Sequence, residues 1–285
     1  MRVLLISYSA QGFALLRGVC ERAGHVPVAF LHARSLRPGG PTRSGAADVV
    51  GEIVDALPDG MDLLIPGRKN MLPHIIEGYG ADLIVCYGFP WKLPPSVLRS
   101  TRLGAINVHT SMLPKYRGPL PVNWAIRNGD KEIGVSIHWM ESAFDTGGIL
   151  AQEAGIALGD DVVPRSLWEE VDRCIERLLP LALSRAVTGS PGTPQQEEAA
   201  TYAGWMEPEF SRIDWSNGRE EIHNQVRAFR FGSSGRSGPV ATVDDRRLRV
   251  LRTSLDPADG VEVMCADGPV WLTETVPVAD PAVLN

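Results

Sequence analysis

Residues 3–31 read VLLISYSAQGFALLRGVCERAGHVPVAFL, and the order of patterns in that stretch decides the fold. Val3–Ile6 is a short continuous apolar run, the mark of a strand covered on both faces. A turn of mostly small residues, Ser7 to Gly12, follows it. Phe13–Ala23 then places Leu15, Leu16, Val19 and Cys20 at helical spacing, Gly24 stops the helix, and Val26–Leu31 resumes as strand. Strand, helix and strand in that order form a βαβ unit and predict a parallel sheet.

Working outward, the same signals place further strands at Asp62–Ile65, Leu83–Tyr87, Ala105–His109 and Gly134–Met140. Helices are expected near Leu72–Tyr79 and over Arg165–Val187. Ala33–Gly45 is rich in Pro, Gly and Arg and reads as an exposed loop. Gly189-Ser-Pro-Gly-Thr-Pro-Gln-Gln196 has the composition of a linker. Beyond it come a helix over Asn217–Arg230 and short β runs at Val240–Val243, Leu248–Leu251, Val261–Met264 and Val270–Thr273. The expected class is therefore α/β: a Rossmann-like parallel-sheet domain over residues 1–188, a linker over 189–202, and a smaller, mostly β C-terminal domain over 203–285.

Composition narrows the function classes. With 285 residues, 44% hydrophobic and 22% charged, the chain has an ordinary globular make-up and can bury a core without staples. Its 28 basic and 34 acidic residues leave a net charge of −6, which argues against holding nucleic acid by bulk charge alone. The four cysteines stand far apart with no CxxC pair, so neither a disulfide framework nor a zinc site is expected. No signal sequence or membrane span is read, and a cytoplasmic protein is the expectation. The first turn, Ser7-Tyr-Ser-Ala-Gln-Gly12, holds one glycine where a dinucleotide fingerprint needs three, which speaks against nicotinamide or flavin binding there.

The chemistry gathers further along. The strand Ala105–Val108 runs into Asn107 and His109, spaced i, i+2 and hence on one face. The carboxyl end of a parallel strand opens on a ligand crevice. An amide N–H there can stabilise an oxyanion, and an imidazole can move a proton near neutral pH. Asp145, in a turn after the strand Gly134–Met140, can orient or charge that imidazole. Read locally, the same residues also suit a capped strand end and an ordinary Asp-Gly type turn.

The run Asn107-Val-His-Thr-Ser-Met-Leu-Pro-Lys-Tyr-Arg-Gly-Pro-Leu-Pro-Val-Asn-Trp-Ala-Ile126, followed by Asp145-Thr-Gly147, resembles the signature of the folate-dependent formyltransferases. That family includes methionyl-tRNA formyltransferase and the amino-sugar N-formyltransferases. The resemblance is clear from about residue 80 to 230, with Met112 standing where leucine is commoner. It implies 10-formyltetrahydrofolate as cosubstrate, no metal, and Asn107, His109 and Asp145 as catalytic residues, Asp145 keeping His109 charged. It further implies that Tyr87, Gly88, Phe89, Trp91 and Leu93 form one wall of the pterin site and Met140, Glu141, Ser142 and Ala143 the other. Ser111, Met112, Leu113, Pro114, Arg117 and Gly118 form the loop on the substrate side. The remaining histidines, His138 among them, show no ligand spacing and are expected to be structural.

The acceptor amine is read from weaker features. Arg34, Arg37 and Arg43 in the Ala33–Gly45 loop, and nine arginines against six acids between Glu209 and Arg252, fit a tRNA. The short C-terminal domain and its acidic tail, six acids and no Lys or Arg after Arg252, lean toward a small-molecule amine: an amino sugar, an amino acid or a siderophore precursor. Methionyl-tRNA is the alternative, and hydrolysis of the formyl donor a lesser one.

Overall fold

The computed structural model describes residues 1–36, 39–233 and 237–278. They form two compact units: Met1–Pro119 with Gly134–Ala154 and Val171–Tyr202, and Leu120–Ile133 with Gly155–Glu170 and the chain from Ala203 on.

The first strand, β1 (Arg2–Ser7), is buried from Val3 onward, as its unbroken apolar run requires. Helix α1 (Ala10–Arg22) follows. Ser9 caps it, its hydroxyl accepting the Gly12 N–H at 3.1 Å, which satisfies one of the orphan donors of the first turn. Phe13, Leu16, Val19 and Cys20 make its buried face, and Phe13 meets Phe30 of β2 (Val26–Leu31) with ring centroids 4.1 Å apart. Helix α2 (Ala46–Ala56), β3 (Asp62–Leu64), α3 (Leu72–Gly78), β4 (Leu83–Tyr87), α4 (Pro95–Leu98), β5 (Ala105–His109), α5 (Pro121–Arg127), β6 (Glu132–Trp139), β7 (Ile149–Ala157) and α6 (Pro164–Val187) complete the first two thirds of the chain.

The seven-stranded sheet has the order β3-β2-β1-β4-β5-β6-β7. From β1 the chain first builds outward through β2 and β3, then returns to lay β4 and β5 on the other side, all of these pairings parallel. Such a reversal opens a crevice at the carboxyl ends of β1 and β4, the usual ligand position in this architecture. One strand departs from the expected direction. β6 pairs antiparallel with β5, with Asn107 opposite His138 and His109 opposite Ser136, so the sheet is mixed.

Four helices and strands escape the sequence reading, the four-residue α4 among them. α2 buries only Ala46 and Ile53, too thin a stripe to stand out. α5 starts at a proline inside a Pro/Gly-rich run, a legitimate first helical position that also resembles a loop. β7 is interrupted in pattern by Gln152, Glu153 and Gly155 and is half exposed as the sheet's last strand.

The second unit holds helix α7 (Arg219–Gly232) and the strands β8 (Val240–Val243), β9 (Arg246–Ser254), β10 (Val261–Cys265) and β11 (Gly268–Pro277). The strands form an antiparallel sheet in the order β10-β11-β9-β8. Ile222 and Val226, one turn apart on α7, pack with Val250, Val270 and Leu272. In the same unit Asp161 pairs with both Arg230 and Arg252, the latter at 3.1 Å, and Arg252 also reaches Glu274 at 3.0 Å.

Candidate active site

Asn107 and His109 project from the end of β5, and the antiparallel neighbour β6 sets His138 and Ser136 directly opposite them. Cross-strand partners share a face, so one patch of sheet carries four polar side chains. Ser136 ties down the following loop. Its hydroxyl donates to the Ser111 carbonyl at 2.6 Å and accepts the Leu113 N–H at 3.1 Å and the Gln152 amide at 2.7 Å. Gln152 also holds the Leu113 carbonyl at 2.9 Å. The loop then passes through a cis Leu113–Pro114 bond and a left-handed Tyr116, φ 58°. The Tyr116 carbonyl meets His109 Nε2 at 2.8 Å.

Asp145 joins the patch from the turn between β6 and β7. Its side chain is 10% exposed, and its own backbone is left-handed, φ 56°. Oδ2 accepts the Gly118 N–H at 2.8 Å and lies 3.6 Å from His109 Nδ1. Oδ1 lies 3.4 Å from His138 Nε2 and 3.4 Å from Asn107 Nδ2. The three residues singled out as catalytic therefore converge, and a fourth, His138, stands with them. His138 turns Nδ1 to the Trp139 carbonyl at 2.7 Å, so that Nδ1 carries a proton and Nε2 faces Asp145 and Asn107. A pairing of β6 with β5 is the signal that finds it, and the alternation of β6 alone does not reveal that pairing.

Burial acts on both charges. It pushes the His109 imidazole below its ordinary value; Asp145 and the Tyr116 carbonyl pull upward, and His138 adds to the downward push. Burial alone raises the Asp145 carboxyl, but His109, His138 and the Gly118 N–H together outweigh it and hold the group well below the usual carboxylate range. The carboxylate is thus firmly charged while the buried imidazole inclines to neutrality. Desolvation is the larger effect on His109 and opposes the charging that Asp145 favours.

The ligand-facing calls sort into backbone and core. Tyr87, at the end of β4 and 7% exposed, meets Tyr8 edge-on with centroids 6.3 Å apart. Gly88, φ 79°, has no room for a Cβ because the Tyr8 ring occupies that space. Trp91 and Leu93 are each 2% exposed and belong to the hydrophobic core, with Trp91 Nε1 bonded to the Ser35 carbonyl at 2.9 Å. Their side chains pack inward, since a tight loop after a buried strand turns its large apolar groups to the core. Phe89 and Met140 are half-buried against that core, and Glu141, Ser142 and Ala143 are exposed. Lys92 Nζ stands 5.7 Å from the Phe144 ring centroid and so bridges the two segments, a contact their spacing in sequence does not announce.

On the loop after β5, Ser111 and Leu113 are buried, Met112 and Pro114 half-buried, and Gly118 is spent on Asp145. Arg117, expected on the substrate side, is 8% exposed and directs its guanidinium onto Gln195 and Glu197. Arg34 and Arg43 are exposed; Arg37 lies outside the described residues. No cluster of three metal-ligating side chains exists among the described residues, and none of their helices is long and apolar enough to cross a membrane.

A tetrahydrofolate-type donor suits what is present: a glycine-lined loop at the switch point for backbone contacts, beside an amide, two imidazoles and a buried carboxylate. That is a donor set for proton movement and oxyanion stabilisation.

Comparison with known proteins gives these features a lineage. The family model described as Formyl transferase matches residues 1–175, and the one described as Formyl transferase, C-terminal domain matches residues 206–279. The chain is 35% identical over 222 residues to a methionyl-tRNA formyltransferase of Citrifermentans bemidjiense, covering 72% of this chain and 68% of the relative. It is 33% identical over 265 residues to that of Nitrosospira multiformis, covering 91% and 81%. In fold it is similar to a sugar N-formyltransferase of a Shewanella species, with TM-score 0.65 at 18% identity, over 91% of this chain and 99% of that one. Taken with the mixed sheet and the Asn107, His109 and Asp145 cluster, these matches mean that the chain belongs to the formyl transferase family.

Proposed function

We propose that this enzyme transfers the formyl group of 10-formyltetrahydrofolate to the α-amine of methionyl-tRNA in the cytoplasm, with Asn107, His109 and Asp145 as its catalytic residues. The observation that carries the acceptor is the identity, 35% over 72% of the chain, to a methionyl-tRNA formyltransferase. This replaces the small-molecule acceptor favoured by charge and tail composition.

The donor supplies an activated formyl carbon; the chain's residues do the rest. Asn107 Nδ2 and the His109 Nε2–H, which at rest donates to the Tyr116 carbonyl, stabilise the oxygen of the attacked formyl group. Asp145, charged and held by Gly118, stabilises the imidazolium as it forms and helps move the proton lost by the amine to the departing folate nitrogen. The C–N bond to the folate breaks as the new amide forms, with no net redox change. In the C-terminal unit Arg212 and Arg247 flank a groove of about 430 Å³. Neither is ion-paired with a carboxylate among the described residues, which suits contact with a phosphate backbone.

A second reading, a small amine such as an amino sugar, is favoured by one observation: the arginines Arg127, Arg230 and Arg252 are consumed by Glu207, Asp161 and Glu274. The experiment measures tetrahydrofolate release with charged or uncharged methionyl-tRNA or an amine panel, at several salt concentrations. Release only with charged tRNA, falling steeply with salt, supports the proposal. Release with one amine and not with tRNA establishes the second reading, and release with neither acceptor present indicates hydrolysis.

A further inference from the structure

The run Gly192-Thr-Pro-Gln-Gln-Glu197 has the composition of a free connector, yet it is bound at many points to the unit that carries the active site. Thr193 exchanges both backbone hydrogen bonds with Ile149, at 2.8 and 2.9 Å. Gly192 and Gly148 approach so closely that a Cβ on Gly192 would lie 2.7 Å from the Gly148 carbonyl carbon, and one on Gly148 would strike the Pro191 carbonyl. Further on, Thr201 accepts the Tyr116 N–H on its hydroxyl at 2.8 Å and the Arg117 N–H on its carbonyl at 2.9 Å. One strap therefore grips both segments that build the site: the turn at Asp145 and the loop ending at Gly118.

Gln195 is the centre of that grip. Its Nε2 donates to the carbonyls of Asp145 and Gly147, each at 2.8 Å. Its Oε1 accepts from Arg117 Nε at 3.1 Å and Nη2 at 2.8 Å. The amide has one workable orientation, because carbonyls need donors and a guanidinium needs an acceptor. Arg117 is fixed in turn by two contacts to Glu197, at 2.7 and 2.9 Å. The beneficiary is a non-glycine residue with φ 56°, a conformation that persists only where its surroundings impose it.

We propose that Gln195 is a positioning residue for the formyl transfer described above: its amide fixes the left-handed turn that aims the Asp145 carboxylate at His109 and Gly118, and Arg117 fixes the amide. The inference rests on that catalytic reading for its kinetic consequences, while its geometric core can be read without turnover.

Gln195→Glu is the decisive variant, since it keeps size and shape but sets a carboxylate against two carbonyls. Misplacing a catalytic group by about an ångström costs up to about a hundredfold. Gln195→Glu and Gln195→Ala are accordingly expected to lower kcat by at least about tenfold, leaving the KM for the folate donor within about twofold. Titration of the imidazoles by NMR reads the geometry directly. His109 is expected to titrate at lower pH in both variants, because the carboxylate that favours its charged form has moved away. Glu197→Gln, which alters only a surface partner of Arg117, is expected to leave kcat within about twofold.

A Gln195→Glu protein with wild-type kcat and an unmoved His109 titration overturns the proposal. So does a variant that loses thermal stability without either change, since that marks a purely structural contact. If the wild type shows no transfer to any acceptor, the catalytic reading fails, and the His109 titration alone decides whether Gln195 positions Asp145.

Discussion

Asp145 and Asp161 have the same arithmetic and opposite surroundings. Each carboxylate is shared by two basic side chains, His109 and His138 in one case, Arg230 and Arg252 in the other. Asp145 is 10% exposed and Asp161 is 61% exposed. In water the second pair of contacts is screened, and its partners lose little if it goes. Beneath the surface the first cannot be replaced by solvent, and each partner left behind keeps a buried polar group without its acceptor. Counting ion pairs makes the two sites equal; burial separates them.

The contrast is broken most directly by removing the buried carboxylate or the amide beside it. Asp145→Ala and Asn107→Ala are each expected to lower turnover by at least about a hundredfold, as loss of a preorganised charge or oxyanion donor does. Steady-state release of tetrahydrofolate checks this, and near-wild-type rates in either variant remove that residue from the mechanism. His138→Gln probes whether the second imidazole shares the work. A loss of about tenfold is expected, smaller than removal of a principal acid or base, because His138 touches Asp145 and Asn107 without replacing His109.

Acid sharpens the comparison further. His109 is held below its ordinary value by burial, as are His32 and His223. The unfolded chain therefore takes up these protons first, near pH 6.5. Their contribution to stability is present above that pH and is lost as pH falls below it. Asp145 is held low in the fold, so its contribution is present above about pH 4 and disappears as pH falls further. Thermal midpoints are expected to decline from pH 7 to 5, with a flatter decline in His109→Gln. An unchanged slope means that His109 is charged in the folded protein.

The smallest effect belongs to the exposed carboxylate. Asp161→Asn is expected to leave turnover unchanged and to alter stability by less than about 1 kcal/mol, an effect that salt diminishes. A larger change measured by denaturant unfolding means that the arginine cluster of the second unit supports its fold.

Much of this contrast was legible in the residues. The βαβ opening, the continuous apolar runs of β1 and β4, and the i, i+2 spacing of Asn107 and His109 follow from period and burial alone. The direction of β6 did not, because alternation says which face a residue takes and nothing about its neighbour's direction. His138 was missed for that reason. The core positions of the Trp91 and Leu93 side chains follow from size and apolarity, while resemblance alone says nothing of how a side chain in that segment packs. Gln195 was hidden by its company, since Gly and Pro around it carry the signature of a turn whatever the turn is bound to.

The close approach of Gly148 and Gly192 has a practical corollary for anyone dissecting this molecule. A chain ended after residue 188, at the helix terminus where composition invites a cut, keeps Asn107, His109 and Asp145 but discards the backbone partner of Ile149 and the amide beneath Asp145. Such a fragment has every reactive group and lacks the buttress that sets their angles. A cut beyond Tyr202 spares that buttress, but it still leaves Leu120–Ile133 and Gly155–Glu170 without the rest of their own unit.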